Sequence, residues 1–64
     1  MNIERLTIKE IKNTCINELK VLSIHDFAKE NYYNKILKVI FENQTKTDNH
    51  IKFYIKNALN EKVN

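Results

Sequence analysis

The chain has 64 residues, with no Gly, no Pro, one Cys, a formal net charge of +3 and a pI near 9.1. That length supports one domain and buries only about 60% of the surface its unfolded chain exposes, so a disulfide, a metal or a second subunit is usually needed for firm stability. The lone Cys15 excludes an internal disulfide, and neither His25 nor His50 stands in a zinc-site spacing, so association with another chain is the support that remains.

The longest apolar runs, such as Val39-Ile40-Phe41, fall far short of the roughly 20 residues of a membrane span. No basic start followed by an apolar stretch marks a signal peptide. With one unpaired thiol, the expectation is a cytoplasmic protein without membrane contact. The basic surplus is mild: four basic and three acidic groups in residues 1–22, three of each in 23–43, and four against two in 44–64. Nucleic-acid binders often show a stronger, clustered excess. Asn, Lys and Ile supply 29 of the residues, the usage AT-rich codons give, which discounts the lysine surplus further.

In chain order, Thr7-Ile8-Lys9-Glu10 is a capping box, and Leu6 and Ile11 have the spacing of a hydrophobic staple. Ile8, Ile11, Cys15, Ile16, Leu19 and Leu22 then recur at intervals of three and four, which predicts a helix from about Ile8 to Val21. Ser23-Ile24-His25-Asp26 repeats the box with Leu22 and Phe27 as staple, so a second helix is expected from Ile24 to about Asn43. Asp26 also puts negative charge where the helix dipole favours it.

The apolar residues of that second helix face two ways. Ile24, Phe27, Ala28, Tyr32 and Val39 share one sector, whereas Tyr33, Leu37, Ile40 and Phe41 lie in another, with Ile36 between them. A helix apolar in two directions has two things to pack against, or it breaks near Asn31–Asn34 to give four helices. After the polar stretch Gln44–Asn49, Thr47 or Asp48 can cap a third helix with Ile51, Ile55, Ala58 and Leu59 as its stripe. A rival reading pairs Val39–Phe41 with Ile51–Ile55 as a hairpin, but Ala58 and Leu59 continue the helical period. The expected fold is therefore all-α, a small three-helix bundle in a single domain of residues 1–64.

Little in the sequence suggests catalysis. Cys15 lies on an apolar stripe, where a buried small hydrophobe is the plain reading. His25 and His50 fall in first helical turns with no placed nucleophile, the carboxylates are scattered, and no Gly-rich phosphate loop exists. No enzyme, metal, cofactor or small-molecule substrate is expected. Two binding surfaces stand out instead. Tyr32, Tyr33, Val39, Phe41 and Phe53 exceed what a three-helix core of this size needs, and aromatic residues are enriched at interface centres. Asn49, Lys52, Lys56 and Asn60 share one polar face of the third helix, and such residues contact phosphate and adenine. The first set points to a small regulatory adaptor that binds a protein partner or itself. The second, the alternative, points to a DNA-binding regulator, although Ala28 and Tyr32 fit a helix-turn-helix register poorly.

Overall fold

A computed structural model describes residues 1–22 and 26–60. It contains three helices, α1 (Ile8–Val21), α2 (Phe27–Glu42) and α3 (Asp48–Asn60), in an all-α bundle. The hairpin reading is corrected: Val39–Phe41 and Ile51–Ile55 both lie in helices.

The α1 start is the capping box the sequence spells. The Glu10 amide donates to Thr7 Oγ1 at 3.1 Å, and the Thr7 amide donates to Glu10 Oε1 at 3.0 Å. Two of the amides left unpaired at a helix start are thereby satisfied. The helix stops where Leu22 turns extended, at φ −67° and ψ 142°.

The start of α2 differs from expectation. The described helix begins at Phe27, with Asp26 as its N-cap: the Lys29 amide donates to Asp26 Oδ1 at 3.2 Å. The expected cap Ser23, with Ile24 and His25, lies outside the described residues. From there α2 runs unbroken through Asn31–Asn34. The low helix propensity of Asn, a few tenths of a kcal/mol per residue, is outweighed by packing on both sides.

The turn after α2 works without glycine. The Asn43 side-chain amide donates to the Val39 carbonyl at 2.7 Å, and Gln44 Nε2 donates to the Phe41 carbonyl at 3.2 Å. These bonds occupy carbonyls that the helix end leaves free, and no described residue adopts positive φ. At the start of α3 the His50 amide donates to Thr47 Oγ1 at 3.4 Å, so Thr47 fills the capping role.

Each helix contributes one i, i+4 pair to the core: Ile11 and Cys15, Ile36 and Ile40, Ile51 and Ile55. Burying each isoleucine contributes about 1.5–3 kcal/mol, before the entropy of ordering the chain is subtracted. Helix α2 is the middle element. It packs closely on both α1 and α3, which touch one another far less. Its apolar surface thus meets two neighbours within the chain, while Phe27 and Phe41 stay largely exposed. Among the described residues no helix is long and apolar enough to cross a membrane.

Candidate interaction surface

The five residues singled out as surplus apolar surface fall into two groups. Tyr32, Tyr33 and Val39 are partly buried and pack against the core. The Tyr32 and Tyr33 rings meet edge to face at 5.2 Å. Burial, followed by the negative charge of Glu18 on α1, raises the Tyr33 phenol above its ordinary pKa. Val39 lines the other seam, an open groove of about 440 Å³ between α2 and α3 with Tyr54 and Ala58.

Phe41 and Phe53 belong to the second group. Phe41 is 50% exposed, with the Lys12 ammonium 5.2 Å from its ring centre, a cation–π contact that ties it to α1. Beside it lies an open groove of about 450 Å³ lined by Ile8, Lys12, Ile40 and Ile51, with Lys9 and Lys46 on its rim. Phe53 is 60% exposed on the outside of α3 and meets the Tyr54 ring edge to face at 6.0 Å.

One aromatic residue escaped the sequence reading as surface. Phe27, grouped there with Tyr32 and Val39, is 71% exposed at the start of α2. A signal was available: fourteen residues bring Phe27 within about 40° of Phe41 around the helix, nearer than to Tyr32 or Val39, so the sector division misplaced it. All three phenylalanines of the chain are therefore on the surface, and the buried core holds none.

The polar face of α3 is engaged by the N-terminal turn. Lys56 forms an ion pair with the Glu4 carboxylate, and Lys52 Nζ donates to the Glu4 carbonyl at 3.3 Å. The turn is held in place by the Glu4 amide donating to Asn2 Oδ1 at 3.1 Å and by Ile3 and Leu6 packing on the core. A further link joins α1 to α3, the Ile8 amide donating to Asp48 Oδ2 at 3.3 Å. Asn49 and Asn60 are exposed on the same helix.

Cys15, His50 and Asp26 fit plain structural roles. Burial pushes the Cys15 thiol up to about 11, so it is protonated and poorly nucleophilic at neutral pH. His50 Nδ1 lies 3.1 Å from Thr47 Oγ1 within the α3 cap. The Asp26 carboxylate, besides capping α2, pairs with Lys29 at 3.9 Å. No group of three or more metal-ligating side chains occurs among the described residues. Comparison with known protein families, with curated proteins and with solved structures finds no match for this chain.

Proposed function

We propose that this protein is a small regulatory adaptor of the cytoplasm that works by binding another polypeptide, a second copy of itself first, and catalyses no reaction. The observation that carries this reading is the placement of Phe27, Phe41 and Phe53 on the surface of a chain whose core, among the described residues, is five isoleucines and one cysteine. Phenylalanine is among the side chains most often fully buried. Fully covering one such ring contributes about 1.5–3 kcal/mol, and a small domain gains from a partner that covers several. The half-buried Tyr32, Tyr33 and Val39 support the helix that carries Phe27 and Phe41. The buried, protonated Cys15 suits a reducing compartment and is not an activated nucleophile.

The nucleic-acid reading, with Asn49, Lys52, Lys56 and Asn60 on phosphate and bases, is the weaker one. Both of its lysines already have a partner in Glu4, whose charge must be displaced before phosphate binds.

Sedimentation or light scattering at micromolar concentration tests the adaptor reading. The expected result is a mass above one chain that falls toward one chain on Phe41→Ala. A monomer whose behaviour Phe41→Ala and Phe53→Ala both leave unchanged would remove self-association.

A further inference from the structure

The outward stripe of α2 has a symmetry in its own sequence. Phe27, Asn34 and Phe41 are spaced by seven residues, so they share one stripe with only about 20° of drift per step. All three are exposed, and the two rings stand about 21 Å apart along the axis at 1.5 Å per residue. Asn34 is midway. Glu30 and Lys38, also exposed, lie four residues before and four after it. The pattern reads apolar, acidic, amide, basic, apolar.

We infer that α2 pairs with α2 of a second copy, antiparallel, about a twofold axis that passes Asn34. This rests on the self-association reading and says which face carries it. A twofold interface uses the same patch on both chains, with residue i meeting j and j meeting i. Centred on Asn34, the antiparallel arrangement sets Phe27 of each copy level with Phe41 of the other, next to the groove at Ile8, Lys12 and Ile40. It also sets Glu30 level with Lys38 of the other copy, twice. A parallel arrangement would set Glu30 level with Glu30 and Lys38 level with Lys38, like charges throughout. Charge therefore selects the antiparallel partner, and the opposed helix dipoles favour it as well. Two Asn34 amides meet at the axis, where each can donate to and accept from the other. A single polar residue in such a seam fixes register, as buried Asn does in coiled coils. Glu4, Lys52 and Lys56 take no part in this interface.

Sedimentation equilibrium on the full chain separates this pairing from the broader reading. Phe27→Ala and Phe41→Ala each occur twice in the interface and should each weaken the dimer by at least about tenfold, with helical content unchanged. Glu30→Lys alone and Lys38→Glu alone should each weaken it, and the double variant Glu30→Lys/Lys38→Glu should restore it, because reversal of both charges keeps every level pair opposite in sign. Asn34→Cys should give a disulfide-linked dimer on mild oxidation, with buried Cys15 staying out of the reaction. A dimer indifferent to Phe27→Ala, or one that the double charge reversal fails to restore, would overturn the α2 pairing while leaving self-association standing. A wild-type chain that stays monomeric at every micromolar concentration would remove both.

Discussion

The two faces of α2 carry different apolar chemistry, and the difference separates what folds the chain from what is left over for a partner. Inward stand Ile36 and Ile40, fully or nearly buried between pairs from α1 and α3. Outward stand Phe27 and Phe41, both at least half exposed. Helices pack at roughly 8–10 Å between axes, and β-branched isoleucine, stiff at χ1, fills that space with little rotamer entropy to lose. A phenylalanine in the same seam would push the helices apart at a cost of about 1–3 kcal/mol. Hydrophobicity alone does not sort these residues. Shape does, and it leaves the rings outside.

Core truncation is the strongest way to break that comparison. Ile36→Ala should cost about 2–5 kcal/mol, most of what a domain this small possesses, and urea unfolding followed by circular dichroism would read it. Phe53→Ala, on the outside of α3, should cost under about 1 kcal/mol. Equal losses from the two would erase the division between inner and outer residues.

Cys15 sharpens the inner side. Raised from 9.0 to about 11, its thiol should carry about a hundredfold less thiolate at neutral pH than a free cysteine, before burial slows it further. Alkylation timed in native buffer and in urea should differ by at least that factor. The folded protein keeps the thiol neutral, so this stabilisation is present below pH 9 and is lost as pH rises toward 11. Fast native alkylation would place Cys15 outside the core.

Helix caps give a smaller effect. Thr7→Ala should cost about 1 kcal/mol, because it orphans the Glu10 amide and loosens the reciprocal bond. The hydrogen bonds from Thr7 hold the Glu10 carboxyl below its ordinary value. A lowered carboxylate stabilises the fold above its unfolded pKa, and that contribution is lost as pH falls through the folded one. Thermal melts from neutral to acid pH should therefore show a smaller acid loss in Glu10→Gln, which has no carboxyl to titrate, than in the parent. An identical loss would mean that the box does not govern Glu10.

Smallest is the surface pair at Glu4. Exposed ion pairs contribute about 0–1 kcal/mol, so Glu4→Gln should barely move the melting temperature. It would free the Lys56 ammonium, and a gel shift at low salt then tests the polar face of α3. Binding that appears in Glu4→Gln and is absent in the parent would give that face a role, whereas no binding in either leaves it a solvated surface.

Local signals explain how much was legible. The α1 boundaries read from caps and spacing match the observed Ile8–Val21, because the box closes within four residues and needs nothing from elsewhere. For α2, Ser23 and Asp26 both carry capping chemistry three residues apart, and no rule of local sequence chooses between them. The described helix uses Asp26. The continuity of α2 through Asn31–Asn34 was equally hidden, since Asn propensity is local whereas the packing that overrides it comes from two other helices. The engagement of Lys52 and Lys56 by Glu4 joins residues about fifty positions apart, which no spacing rule reaches.

By itself, the sequence determined that this protein is helical, where its first helix begins and ends, and that Ile11, Ile51 and Ile55 lie on inward stripes. Those facts follow from hydrogen bonds within one turn and from a period of 3.6 residues. Tertiary structure alone decided that Tyr32 and Tyr33 pack inward while every phenylalanine stays out, and that the basic face of α3 is held by the N-terminal turn. Both depend on how much room three helices leave between them and on which distant segment reaches which surface, and these are set only when the chain is folded.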